Sequence, residues 1–173
     1  KESIICGWPL MKKLAYSYKT KIIPVDSEHY AIFKLIQNLN QNEIEKIFIT
    51  ASGGPFLYYK RHELRKISPK EALKHPKWKM GYKNSIDSAT LVNKCLEVIE
   101  AHYLFDIPYS KLDILVHPQA IVHSVVEYNN FTSHFNLFKN DMKIPILNFL
   151  MFSDGRYKLN NLNLNLSRSD FNS

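Results

Sequence analysis

The sequence predicts a mixed α/β and α+β fold, with parallel strand-helix units first and a mostly antiparallel sheet after them. Through the first hundred residues, short β-branched runs alternate with amphipathic stretches, the pattern of strands joined by helices. From residue 112 onward, "LDILVHP", "AIVHSVVEY" and "FTSHFNLF" follow one another without a helical stretch between them, which calls for pairing through short turns. The 173 residues are 45% hydrophobic and 13% aromatic. Such a chain can bury a core and lies outside the composition of disordered segments.

Residues 2–18 place Ile5, Pro9, Leu10, Leu14 and Tyr18 in a broken helical period, which predicts a helix. "KIIPVD", 21–26, is short and β-branched and reads as a buried strand that delivers Asp26 to its end. "SEHYAIFKLIQNL", 27–39, opens on a capping residue and spaces Ile32, Phe33, Leu35 and Ile36 as one helical face. "EKIFITA", 45–51, reads as a second buried strand and "SGGP" as the turn after it, followed by short helical pieces at 61–66 and 68–74. "DSATLVNKCLEVIEAHYLF", 87–105, reads as one helix with Leu91, Leu96, Ile99, Ala101 and Leu104 toward the core. A hairpin is expected at "NN", a helix over 143–152, and a poorly ordered Asn-rich tail over 153–173.

The formal charge of +7 suits a phosphorylated or otherwise anionic partner. Its lysines and aromatics form no recognised nucleic-acid motif, so nucleic acid is not expected. Cys6 and Cys95 have no metal or disulfide spacing, and no apolar run reaches the roughly 20 residues that span a bilayer. A soluble protein of a reducing compartment is the expectation, without a membrane partner. The start at Lys1 rather than Met predicts an upstream portion beyond this chain.

Three stretches can carry chemistry. In "PVDSEH", Asp26 and Glu28 stand two apart, and on extended backbone both carboxylates face one cation. Hard oxygen donors suit Mg²⁺ or Mn²⁺; Asp26 and Ser27 are equally good helix caps. On 88–105, Asn93 and Glu97 share a face with Lys94 beside them and Ser88 near the start, a set that can hold phosphate and complete a metal shell or form a solvated face. Ser52, in the glycine turn, can bind an anion, and His75 can bond phosphate or move a proton. "KHPKWKMGYK", 74–83, sets Trp78 and Met80 among four lysines; such apolar side chains gain free energy only when covered, and a ligand is one possible cover. His117 and His123 read as structural.

After the opening "KES", the pieces "PVDSEH", "SGGPF", "HPKWKMG", "IDSATLVNK", "LEVIEAH", "VHPQAIVHS" and "DMKIP" stand in an order and spacing that resembles the 1-deoxy-D-xylulose 5-phosphate reductoisomerase family of the non-mevalonate isoprenoid pathway. The resemblance implies NADPH-dependent isomerisation and reduction of that sugar phosphate to 2-C-methyl-D-erythritol 4-phosphate, with Mg²⁺, Mn²⁺ or Co²⁺. It implies metal ligands at Asp26, Glu28 and Glu97, and substrate or phosphate contacts at Lys1, Ser27, Glu28, Ser52, His75, Ser88, Asn93, Lys94 and Glu97. Lys1, Glu28, His75 and Glu97 become the catalytic set, and Glu2, Gly81 and Met142 fall near the nicotinamide cofactor. Residues 74–83 become a mobile lid whose Trp78 covers the substrate's carbon skeleton. A homodimer is implied, in a bacterial cytoplasm or a plastid.

The resemblance also divides the chain. Residues 1–25 are expected to end a dinucleotide-binding domain, 26–152 to form the catalytic domain, and 153–173 to be a tail or linker. No glycine-rich dinucleotide fingerprint precedes Lys1, so the cofactor domain and a carboxy-terminal helical domain are expected outside the chain, which alone would turn over weakly or not at all. The alternative expectation is a catalytically incomplete piece that serves as a binding or dimerisation module. Tyr82 stands where the family usually has a basic residue, Cys95 where it has glycine, and Leu57 to Tyr59 where it has an arginine-containing stretch.

Overall fold

The computed structural model describes residues 1–76 and 80–152. Helix α1 (Glu2–Ser17) leads into an irregular segment, then α2 (Ser27–Ile36) and strand β1 (Ile44–Ala51). A 3₁₀ turn (Leu64–Lys66) and the one-turn helix α3 (Pro69–Ala72) precede α4 (Tyr82–Ala89) and α5 (Val92–Phe105). Strands β2 (Leu112–Val116), β3 (Val122–Tyr128) and β4 (Ser133–Leu137) follow, and α6 (Lys143–Phe152) closes the described chain.

The four strands form one sheet in the order β2-β1-β3-β4. β1 pairs with β2 in parallel, Ile47 opposite Leu112, and with β3 antiparallel, Phe48 opposite Val125. β4 completes the antiparallel side as a hairpin with β3. The expected mixture of parallel and antiparallel pairing is therefore present, joined by a crossover through α4 and α5.

Two expected elements are corrected. Residues 21–26 form no strand, because Pro24 has no N–H to give a ladder and, among the described residues, no strand pairs with the segment. The stretch 87–105 is two helices. Thr90 turns its hydroxyl back to the carbonyls of Ile86 and Asp87, and Leu91 adopts a left-handed φ of 60°, so the axis changes direction there. Leu91, expected in the core, is consequently 39% exposed.

One sheet face carries Ile47, Ile49, Leu112 and Val126, packed against Ile32 of α2 and Ala101 and Phe105 of α5. Burying apolar side chains on this scale is the main favourable term in folding. α2 and α5 are thereby clamped on the same side of the sheet, with their functional ends near the carboxyl end of β1. The opposite face exposes Phe135 and Leu115.

Candidate active site

The site forms where three local structures meet. At the start of α2, Asp26 is the N-cap, with φ −57° and ψ 138°, and its carboxylate accepts the Glu28 N–H at 3.3 Å. Capping and metal binding are compatible, since the cap occupies Oδ1 and leaves Oδ2 facing Lys1 Nζ at 3.7 Å. Ser27 donates its hydroxyl to Glu28 Oε2 at 2.5 Å, so it orients a carboxylate. At the end of β1, Gly53 and Gly54 take φ of 88° and 70°. A Cβ on Gly54 would lie 2.8 Å from the Ser88 carbonyl oxygen, so glycine there lets the turn close on the end of α4.

The third element is α5, whose inward face is polar. Lys94, Glu97 and Glu100 are buried there, Glu97 at 2% exposure. The solvated-face reading of Asn93 and Glu97 is thereby overturned. Lys94 Nζ reaches Glu28 Oε1 at 2.8 Å and Glu97 Oε2 at 2.6 Å. Lys1 Nζ donates to Asn93 Oδ1 at 2.6 Å and to Glu97 Oε1 at 3.2 Å, while Asn93 also donates to Glu97.

Asp26, Glu28 and Glu97 each offer one oxygen, and these oxygens lie within 4.8 Å of one another. All three donors are hard, and the buried Glu97 Oε2 is balanced by a single ammonium, that of Lys94 at 2.6 Å. The residues fit a small divalent cation of the Mg²⁺ or Mn²⁺ type. Without one, burial and then the Glu28 charge push the Glu97 carboxyl up to about 7, and the same two causes push Asp26 up to about 7. Glu28 moves the other way: burial opposes its charge, but the Lys94 ammonium beside it wins and holds it below the usual carboxylate range. Burial likewise opposes both lysine charges. The carboxylates around them outweigh it and raise Lys1 and Lys94 above the ordinary lysine value.

These side chains, with Ser52, Ser88 and Met142, line a cavity of about 250 Å³. His75 is set on its edge, Nε2 3.2 Å from Ser52 Oγ, and burial followed by the Lys94 charge lowers its pKa. The imidazole is therefore neutral near pH 7 and offers one donor and one acceptor. Glu2 lies outside the cavity, paired to Lys83 at 2.5 Å on the exposed surface. Gly81 is the N-cap of α4 with open space at its Cβ position. Trp78 falls outside the described residues.

Sequence reasoning gave His29 no role, yet it is buried behind the carboxylates. Its Nε2–H donates to the Glu97 carbonyl at 2.9 Å, and Nδ1 faces Asp26 Oδ1 at 3.6 Å. Its position three residues after Asp26, inside a helix start, was the available signal. Asn84 also lines the cavity unforeseen. His123 lines it too but stacks on Phe138 at 3.8 Å and bonds its carbonyl, consistent with the structural role expected for it.

Comparison with known proteins settles the relationship. Residues 22–105, from the segment before α2 to the end of α5, match the model of the 1-deoxy-D-xylulose 5-phosphate reductoisomerase C-terminal domain. The chain is 48% identical to the 1-deoxy-D-xylulose 5-phosphate reductoisomerase of Pelagibacter ubique over 98% of its own length and 46% of the relative's. For the enzyme of Clostridium kluyveri the values are 52%, 93% and 42%. The chain belongs to the 1-deoxy-D-xylulose 5-phosphate reductoisomerase family. It spans less than half the length of these reductoisomerase relatives. A reductoisomerase crystal structure with NADPH, fosmidomycin and magnesium superposes with a TM-score of 0.82 at 40% identity, covering 91% of this chain and 41% of that one. The Zymomonas mobilis reductoisomerase with NADPH gives 0.81 at 40% identity, covering 94% and 41%.

Proposed function

We propose that this chain carries the metal- and substrate-binding part of a reductoisomerase that converts 1-deoxy-D-xylulose 5-phosphate to 2-C-methyl-D-erythritol 4-phosphate with NADPH. The observation that carries the reading is the convergence of Asp26, Glu28 and Glu97 within 4.8 Å beside the half-buried Lys1 and the buried Lys94 ammonium groups. A divalent cation held there would polarise the carbonyl and hydroxyl oxygens of the sugar and stabilise negative charge as a carbon–carbon bond breaks and re-forms. NADPH would supply the reduction of the resulting aldehyde.

The chain's own residues do the rest. Lys1 and Asn93 form a hydrogen-bonded pair at the rim of the carboxylates and would orient the substrate's hydroxyl oxygens. Asp26, Glu28 and Glu97 would hold the cation, whose charge would favour the ionised form of the two carboxyls that burial pushes up to about 7. Ser52, His75, Ser88 and Lys94 would take the phosphate. Met142, which lines the cavity, would meet the cofactor, together with Glu2 and Gly81 nearer the outer surface. Trp78 would cover the carbon skeleton when 74–83 closes, which excludes water and strengthens the polar contacts inside. Residues 1–25 would belong to the cofactor domain and 26–152 to the catalytic one. The relatives are bacterial, and a bacterial cytoplasm is the compartment proposed; among the described residues no helix is long and apolar enough to cross a membrane.

The test is calorimetric titration of Mn²⁺ into the chain with fosmidomycin present, set against a Glu97→Gln variant. Binding in the parent that is lost in the variant supports the site. No binding to a parent chain with a folded circular-dichroism spectrum sinks it. A second reading, a dimerisation module without turnover, is favoured by the uncovered sheet face, where Phe135 is 56% exposed.

A further inference from the structure

The three carboxylates that suit a cation make the same cavity a poor attractor for an anion. Before a cation binds, Asp26, Glu28 and Glu97 set three carboxylates against the ammonium groups of Lys1 and Lys94, and a divalent cation would leave the cavity close to neutral. A phosphate dianion approaching from solvent gains little from that balance. The positive charge lies elsewhere, on one excursion of the chain.

Residues 55–74 leave the cavity wall at Gly54 and return to it at His75, whose ring bonds Ser52. Both ends are therefore anchored at the cavity rim. The excursion carries Lys60, Arg61, Arg65, Lys66, Lys70 and Lys74, all exposed, against two carboxylates. Those carboxylates are engaged locally. Glu63 accepts the Lys60 N–H at 2.6 Å, and Glu71 accepts the Ser68 N–H and hydroxyl at 2.8 and 2.6 Å in a capping box. Among the described residues none of the six basic side chains is in an ion pair. More than half of the chain's net charge of +7 thus sits on the twenty residues between these two rim anchors.

We propose that residues 55–74 form a cationic collar that steers the phosphate end of an anionic sugar into the cavity, where Ser52, His75 and Lys94 then take it. The inference rests on the sugar-phosphate reading above and adds the means of capture. Charges on a rim act on encounter more than on the bound state, so they raise the association rate and leave dissociation nearly unchanged. The effect is bounded by screening, since the Debye length is about 30 Å at 0.01 M salt and about 8 Å at 0.15 M.

The experiment is stopped-flow measurement of fosmidomycin association with the Mn²⁺-loaded chain, read by tryptophan fluorescence across salt concentrations. Parent chain is compared with a collar variant (Arg61→Gln, Arg65→Gln, Lys66→Gln) and with a control that removes equal charge at Lys13, Lys19 and Lys21. The first two control sites lie near or beyond the far end of α1, roughly 18 Å or more from Lys1 at 1.5 Å per residue. The collar variant is expected to associate roughly three- to tenfold more slowly at low salt, with the parent's dissociation rate, and to converge on the parent at high salt. The control is expected to match the parent. Equal association rates for parent and collar variant overturn the steering alone, and so does a loss located in the dissociation rate. A control as slow as the collar variant overturns the local collar in favour of net charge. No association with the parent at any salt overturns the sugar-phosphate reading, and the collar with it.

Discussion

Glu97 shows how much a single position depends on its surroundings. Its carboxyl and that of Asp26 are pushed up to about 7 from ordinary values of 4.5 and 3.8, so the folded, metal-free chain holds protons that the unfolded chain releases. Stability from these groups is present below their ordinary values and declines as pH rises toward 7. Glu28, shifted downward, contributes the opposite sense, and its share is lost only as pH falls below its ordinary value. The melting midpoint without metal is therefore expected to fall between about pH 5 and pH 7, the two large carboxylate shifts outweighing the smaller downward shift of His75, which acts in the opposite sense. Saturating Mn²⁺ should flatten the fall, and Glu97→Gln should remove part of it. Thermal melts over this range check the point, and a midpoint that climbs through the window contradicts it.

At the scale of elements, backbone conformation gives two predictions of opposite sign. Phe131, in the hairpin between β3 and β4, has φ 64° and is fully exposed. It has the cost of a left-handed side chain without the return of burial. Phe131→Gly is expected to stabilise the chain by roughly 0.5–1 kcal/mol in urea unfolding. Gly54 is the reverse case. Gly54→Ala adds a Cβ at φ 70° and 2.8 Å from the Ser88 carbonyl, so a loss of more than about 1 kcal/mol is expected, together with weaker fosmidomycin binding as α4 is displaced. An unchanged midpoint for Gly54→Ala would mean that the turn and α4 do not pack as described.

At the scale of the whole molecule, the sheet has a covered and an uncovered face. On the covered side Ile47 is fully buried among Ile32, Ala101 and Leu112, and Ile47→Ala is expected to cost about 2–5 kcal/mol. On the uncovered side Phe48, Val125 and Phe135 stand in register across three strands. A second copy of the chain is the occupant proposed for this face. Sedimentation should find a dimer for the parent and a monomer, still folded, for Phe135→Asp. A monomeric parent at tens of micromolar would remove the dimer from the reading.

The sequence by itself determined a helix within 2–18, another within 27–39, the strand at 45–51 and the three strands after it, and it named the three carboxylates that the fold brings together, because these rest on local periodicity, capping chemistry and ordered motifs. Tertiary structure decided the rest. "KIIPVD" has the composition of a strand, but a strand exists only beside a partner, and among the described residues none pairs with it. Residues 87–105 have the period of one helix; the break at Leu91 comes from a hydroxyl turning back on the backbone and from the fit of α4 against Gly54. The polar inward face of α5 was hidden for a simpler reason. Lys94, Glu97 and Glu100 look like a solvated surface until α2 brings Glu28 and His29 against them, and charge pairing over some seventy residues of separation leaves no local periodic signature.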